Sequence, residues 1–189
     1  DHGFLVFGRV ASADEIAALD ASLRRIERLW LDEKRRFVNG VPVFWGTIDG
    51  KPTVQRFAFC SLFSQTIREF VHDPRFEPIR RMIGERARVG DEEQDGVVVS
   101  RFLNARGSVV PCLGWHTDGL RDLVHGRMPK QRLAVGLHLD ACPRENGGLR
   151  LIPGSHRQGF AAMCLRKPYF VSQRPDAEEF AVETQPGDL

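Results

Sequence analysis

The sequence contains no uninterrupted apolar run approaching the roughly 18 residues that are needed to cross a bilayer. Its first residues also lack the charged region, apolar stretch and cleavage site of a secretory signal. Neither sign of charge dominates, since Lys plus Arg total 27 against 25 Asp plus Glu, and this balance gives no electrostatic reason for a nucleic-acid or membrane partner. We therefore expect a soluble cytoplasmic protein that binds neither nucleic acid nor membranes.

The cysteines of the sequence form no recognisable motif. Its four cysteines, Cys60, Cys112, Cys142 and Cys164, form no CxxC pair, which argues against a zinc knuckle and against a disulfide framework. With 189 residues, of which 42% are hydrophobic, the chain is long enough for one substantial core and short for two. The sequence predicts a single domain over residues 1–189.

The first half of the chain has helical patterns. Ser12-Ala13-Asp14-Glu15 forms a capping box, and apolar residues then recur at three- and four-residue steps, which predicts an amphipathic helix to about Arg36. Similar spacing predicts helices over residues 59–70 and 76–86, with a loop or irregular hairpin at residues 39–53. We interpret residues 12–86, approximately, as helical support.

From about residue 95 the pattern changes to short apolar runs separated by turn residues, which predicts strands. The runs cover residues 97–99, 102–103, 133–139 and 149–152. In residues 133–139 large apolar residues alternate with small or polar ones, as in a strand with one packed face. The expected fold is mainly β, an antiparallel barrel or double-sheet jelly roll buttressed by the N-terminal helices.

His116 and Asp118, in Gly114-Trp115-His116-Thr117-Asp118-Gly119, are the first candidates for chemistry. Residues i and i+2 of a strand point to the same face, so the imidazole and the carboxylate can bind one metal ion. One nitrogen and one anionic oxygen begin the arrangement of two histidines and one carboxylate that suits non-haem Fe(II). Alone, the pair fits a surface turn that ends a strand at least equally well.

Downstream motifs favour the metal hypothesis. Leu139-Asp140 is followed by Asn146-Gly147 and then by Pro153-Gly154-Ser155-His156, in the same order as in a known family. With these elements the sequence resembles the phytanoyl-CoA dioxygenase family of Fe(II)- and 2-oxoglutarate-dependent oxygenases, which includes ectoine hydroxylase. The resemblance covers nearly the whole chain.

The resemblance implies a double-stranded β-helix, a cupin-like jelly roll that holds iron at its mouth. His116 and Asp118 would be two of the three protein ligands to the metal. In the family the third ligand is a histidine after the Gly-Asp turn, here Gly187-Asp188, and a nearby arginine binds 2-oxoglutarate. None of the other histidines of the chain occupies that position, so we expect the domain to be C-terminally incomplete, without its last strands.

Arg101 and Asn104 lie before the metal motif, where members of the family contact 2-oxoglutarate, although a solvated strand residue and a turn former are equal alternatives. Four basic residues, Arg121, Arg127, Lys130 and Arg132, follow the motif and fit either an anionic substrate or a solvated loop.

The implied reaction consumes O2 and 2-oxoglutarate, hydroxylates an unactivated C–H bond of a small molecule, and releases succinate and CO2. The alternative is a catalytically silent jelly-roll module for ligand binding or assembly. The sequence does not determine the substrate or the oligomeric state. A halogenase is disfavoured, because such relatives replace the carboxylate that Asp118 supplies.

Overall fold

The computed structural model describes residues 1–117, 126, 131–146, 148–166 and 172–189. These residues form two compact units, one from Asp14–Cys112 and one that combines Asp1–Ala13 with Leu113–Leu189. The sequence prediction of one domain over the whole chain remains a prediction.

The unit formed by residues 14–112 contains most of the regular structure. Its helices are α1 (Ala13–Asp32, which begins one residue before the unit), α2 (Cys60–Phe63), α3 (Gln65–Val71) and α4 (Glu77–Arg81). Its strands are β1 (Phe37–Val38), β2 (Val41–Pro42), β3 (Phe44–Ile48), β4 (Lys51–Phe57) and β5 (Val99–Ser100). The strands form one antiparallel pair, β1-β2, and one antiparallel three-stranded sheet in the order β3-β4-β5.

Helix α1 begins directly after Ser12, where the capping box predicts its start. Its buried residues include Leu19, Leu23, Ile26 and Trp30, the stripe that the periodicity predicts. The helix ends at Asp32 and not near Arg36. Lys34 has a φ of +51°, and the Arg35 amide donates to the carbonyl of Trp30 at 2.8 Å, which closes the last turn.

Residues 37–57 form two antiparallel hairpins, β1-β2 and β3-β4, and the second has a register shift between Phe44 and Trp45. The prediction for residues 39–53 was a loop or irregular hairpin. The turns of the two hairpins are Asn39-Gly40 and Asp49-Gly50, and all four residues have φ between +47° and +80°. These dipeptides favour the two-residue turns whose twist matches that of paired strands. The signal was therefore present in the sequence.

The other two predicted helices are shorter than expected. Ser64 is extended and its hydroxyl accepts from the Ile67 amide at 3.3 Å, so it caps α3 and divides the region into α2 and α3. Helix α4, in the third predicted helical region, is preceded by a 3₁₀ turn at Pro74–Phe76 and ends at Arg81.

The core of this unit lies between α1 and β4. The rings of Trp30 and Phe57, both almost fully buried, are 5.5 Å apart, and Phe63 meets Trp30 edge-on at 5.3 Å. Burial of each of these aromatic side chains contributes on the order of 2–3 kcal/mol.

The second unit contains one described helix, α5 (Phe160–Leu165), and the antiparallel pair β6 (Arg150–Leu151) and β7 (Phe180–Ala181). Cys142 and Thr184 form a further antiparallel bridge. His138 contacts the Gly187-Asp188 turn, since its amide donates to the carbonyl of Asp188 and its carbonyl accepts from the Gly187 amide.

The described residues contain only some features of the mainly β barrel that the sequence predicts. The described residues contain small antiparallel sheets and no closed barrel, and their helices cover more of the chain than their strands. Residues 102–103 and 133–138 are not strands, and Leu133 and Val135 are exposed. Alternating hydrophobicity encodes a buried face, whereas a strand also requires a hydrogen-bonded partner that no local pattern specifies. Within the described ranges, no helix is long and apolar enough to span a membrane.

Candidate metal centre

The imidazole of His116, a predicted metal ligand, is oriented by a hydrogen bond to the backbone. Its imidazole is exposed, and its Nδ1 lies 2.9 Å from the carbonyl oxygen of Gly114, which is buried. A carbonyl oxygen only accepts, so Nδ1 donates and the lone pair of the neutral ring is placed on Nε2. Ligating histidines typically use their second ring nitrogen in this way.

Trp115 anchors the segment that carries His116. Its amide donates to the carbonyl of Ser172 at 3.0 Å, and its indole N–H donates to the carbonyl of Arg174 at 3.0 Å. Two hydrogen bonds to one neighbouring segment therefore hold the residue between Gly114 and His116.

Asp118, the other predicted ligand, lies outside the described residues. Within the described ranges, no three His, Cys, Asp or Glu side chains come together in a way that could hold a metal ion. The pairing of His116 with Asp118 remains a prediction.

The other described histidines have different surroundings. His72 pairs with Asp91 at 2.9 Å and lowers the pKa of that carboxyl group. His138 is half-buried, and His156 lies against Gly3. His125 lies outside the described residues.

Arg101, a predicted 2-oxoglutarate contact, is held by other residues of the unit formed by residues 14–112. Its Nη1 lies 2.8 Å from Oε2 of Glu27 and 3.4 Å from the carbonyl of Val54, and its guanidinium lies 4.9 Å from the centre of the Phe57 ring. The ion pair is largely shielded, because the two side chains are 24% and 17% exposed. These contacts give Arg101 a structural role, and its contact with 2-oxoglutarate remains a prediction.

Asn104, the second predicted contact, is exposed and precedes a turn at residues 105–107. Of the four basic residues predicted to follow the metal motif in a substrate-shaping loop, only Arg132 is among those described. The cosubstrate role of Asn104 and the preference for anionic substrates remain predictions.

Comparison with known proteins identifies the family. The family model described as phytanoyl-CoA dioxygenase (PhyH) matches residues 1–189. The chain belongs to the PhyH family. A search of curated proteins found no significant match. Members of the PhyH family are typically dioxygenases that depend on Fe(II) and 2-oxoglutarate, and the family implies a cupin-like jelly roll.

One turn on which the PhyH resemblance rests, Pro153-Gly154-Ser155-His156, is held by the N-terminal segment (residues 1–11). The Gly154 amide donates to the carbonyl of His2 at 2.8 Å, and Arg157 pairs with Asp1 at 3.1 Å. The ring of His156 occupies the space that a Cβ atom on Gly3 would need. The contact between Gly3 and His156 was not predicted, because a glycine in the sequence does not indicate which distant residue packs against it.

The second such turn, Gly187-Asp188, is held by the far end of the same segment. The amides of Val10 and Ala11 donate to Gly187 at 2.8 and 3.2 Å. The Asp188 carboxylate accepts from the amides of Gln185 and Arg9, both at 2.8 Å, and these bonds lower its pKa. One segment thus supports two turns of the PhyH sequence pattern.

Proposed function

We propose that this PhyH-family protein is an Fe(II)- and 2-oxoglutarate-dependent dioxygenase that hydroxylates an unactivated C–H bond of a small molecule. The observation that carries the proposal is the hydrogen bond between Nδ1 of His116 and the carbonyl of Gly114. It places the lone pair of the neutral imidazole on Nε2, as binding to Fe(II) through that nitrogen requires.

His116 and Asp118 would hold the metal. The imidazole supplies a neutral ligand that the Gly114 carbonyl orients, and the carboxylate supplies one negative charge. Bound iron, with 2-oxoglutarate and O2, supplies the oxidation of the C–H bond. We assign the third metal ligand to none of the described histidines.

The Gly114 carbonyl also limits how His116 can move. Rotation of the ring about χ2 would break the 2.9 Å hydrogen bond, so the ring is held in one orientation before metal arrives. A ligand that is held in this way loses less conformational entropy on binding.

The test uses the full-length protein under anaerobic conditions. Addition of Fe(II) and 2-oxoglutarate together should produce a visible metal-to-ligand charge-transfer band, and neither addition alone should do so. His116→Ala should abolish the band, because water replaces an imidazole ligand weakly. His72→Ala, which removes an exposed histidine paired with Asp91, is the matched control and should retain the band.

Two results would overturn the proposal. A band that persists in His116→Ala would exclude His116 as a ligand. If the wild-type protein gives no band and consumes no 2-oxoglutarate, the protein is the catalytically silent module.

A further inference from the structure

A cation from strand β6 lies above the face of the Trp115 ring. The guanidinium carbon of Arg150, in β6, lies 5.7 Å from the centre of the indole ring. This distance is within the range of a cation–π interaction, for which tryptophan is the best partner. Arg150 belongs to the strand that leads into the Pro153-Gly154-Ser155-His156 turn, and neither the sequence analysis nor the proposed mechanism used it.

Glu179 forms an ion pair with that guanidinium. Its Oε1 lies 3.5 Å from Nη1 of Arg150, and its side chain is 18% exposed while that of Arg150 is 39% exposed. The glutamate directly precedes β7, the partner strand of β6. The pairing of the two strands therefore places the carboxylate beside the arginine.

Trp115 is thus held at two places. The indole N–H donates to the carbonyl of Arg174, and the ring face receives the cation of Arg150. The two contacts differ in direction, since one lies in the plane of the ring and the other above it. Together they restrict both the tilt and the rotation of the indole.

The restriction extends to His116 through the backbone. The hydrogen bond from His116 to the Gly114 carbonyl spans Trp115, so its 2.9 Å length depends on the φ and ψ angles of Trp115. A Trp115 that changes its rotamer and backbone angles would move the carbonyl away from Nδ1. The ring of His116 would then lose the contact that sets its tautomer and orientation.

We propose that Arg150 is a positioning residue that fixes Trp115 and thereby orients His116 for metal binding. This inference rests on the proposed function, because it assumes that His116 binds the metal.

The first measurement needs no metal. In the full-length apoprotein, the indole N–H resonance of Trp115 is assigned by its loss in Trp115→Phe. Its hydrogen exchange should be slow in the wild-type protein and several-fold faster in Arg150→Gln. Arg150→Lys retains a cation above the ring and should give an intermediate rate. Arg157→Gln removes an exposed arginine that pairs with Asp1 in the same unit, and should leave the rate unchanged.

The second measurement is the dissociation constant for Co(II), a redox-stable substitute for Fe(II), determined by calorimetry on the same variants. Arg150→Gln should weaken Co(II) binding roughly three- to tenfold, less than the roughly 10–100-fold typical of residues that contact a ligand directly, because Arg150 acts through Trp115. The thermal midpoint should change little, since Arg150 is partly solvated and exposed ion pairs contribute little to stability. A purely structural arginine would instead lower the midpoint and leave the affinity of the folded protein unchanged.

The outcomes separate the two claims. If Co(II) binds to the wild-type protein and not to His116→Ala, and Arg150→Gln binds Co(II) as tightly as the wild-type protein, the positioning role is wrong and the metal site stands. Unchanged indole exchange in Arg150→Gln also overturns the positioning role. If the wild-type protein binds no Co(II), the metal site and the inference fail together, even where the exchange measurement shows that Arg150 holds Trp115.

Discussion

The imidazole of His156 lies directly against the Cα atom of Gly3, in the space that a side chain at residue 3 would occupy. Gly3 also has a φ of +89°, a conformation that L side chains rarely adopt. We therefore expect Gly3→Ala to lower the free energy of unfolding by about 2–4 kcal/mol, from backbone strain and steric overlap together. Thermal and urea unfolding would measure the change.

Gly154→Ala is the matched control for this prediction. Gly154 has a φ of +75°, but a Cβ atom there would meet nothing within 4 Å, so only the backbone term of about 1–2 kcal/mol applies. His156→Ala in the Gly3→Ala background should recover part of the loss. Equal losses for Gly3→Ala and Gly154→Ala would contradict the contact.

Gln55 is a fully buried polar residue that supports the segment before the metal motif. Its Oε1 accepts from the Val109 amide at 2.7 Å, and its Nε2 donates to the Ser108 hydroxyl at 2.7 Å. Gln55→Leu should lower the free energy of unfolding by about 2–4 kcal/mol, because it leaves these partners without their hydrogen bonds. Gln65→Leu, at an exposed glutamine, should cost no more than about 0.5 kcal/mol. Similar losses in urea unfolding would exclude the role of Gln55.

The local features of the fold were largely predictable from the sequence. The capping box and the apolar periodicity predict the start and the buried face of α1, because both depend on residues within a few turns of each other. The Asn39-Gly40 and Asp49-Gly50 turns carried an equally local signal that the sequence analysis did not use.

The non-local features were not predictable. Residues 133–138 alternate like a strand and do not form one, since pairing depends on distant segments such as the Gly187-Asp188 turn that contacts His138. Likewise, Arg101 stands where a cosubstrate contact was predicted, but its partner Glu27 lies 74 residues earlier in the chain. A motif identifies His116 as a candidate, whereas the Trp115 and Arg150 contact requires the paired strands.

His138 should make stability depend on pH. Burial lowers its pKa below the ordinary histidine value, and the nearby Asp188 carboxylate opposes part of that effect. The unfolded chain therefore binds a proton more readily than the folded protein as the pH falls below about 6.5. Stability is therefore unaffected by His138 above that pH, falls as the pH drops below it, and stops falling once the pH is below the lower pKa of the folded state.

Urea unfolding of the wild-type protein and His138→Gln from pH 7.5 to 5 tests this dependence. The difference between the two proteins removes the contributions of the other histidines. The wild-type protein should lose more stability than the variant on acidification. Parallel pH profiles would show that the pKa of His138 is not lowered by folding.

The ion pair between Arg101 and Glu27 should contribute measurably to stability, because both side chains are mostly shielded from water. A double-mutant cycle with Arg101→Gln and Glu27→Gln should give a coupling energy of about 1–2 kcal/mol. Arg24→Gln, which removes an exposed pair with Asp20, should cost no more than about 0.5 kcal/mol. A coupling energy near zero would show that the pair does not stabilise the fold.

The same variants decide the cosubstrate role of Arg101. If its guanidinium binds 2-oxoglutarate, Arg101→Gln should raise the dissociation constant for 2-oxoglutarate well above the value for Glu27→Gln. Equal constants in the two variants would leave Arg101 with its structural role alone.

Asp118→Asn should abolish hydroxylation without unfolding the protein. Under the proposed function, the substitution removes the one anionic side-chain ligand assigned to Fe(II) and leaves a neutral amide of nearly the same size, which binds Fe(II) more weakly. Substrate-dependent succinate release should therefore fall by at least about 100-fold, while the thermal midpoint stays close to that of the wild-type protein. Asp32→Asn, at the exposed end of α1, is the control and should alter neither quantity. Wild-type turnover in Asp118→Asn would exclude the carboxylate as a metal ligand, and a collapse of the thermal midpoint would show that Asp118 is needed for folding instead.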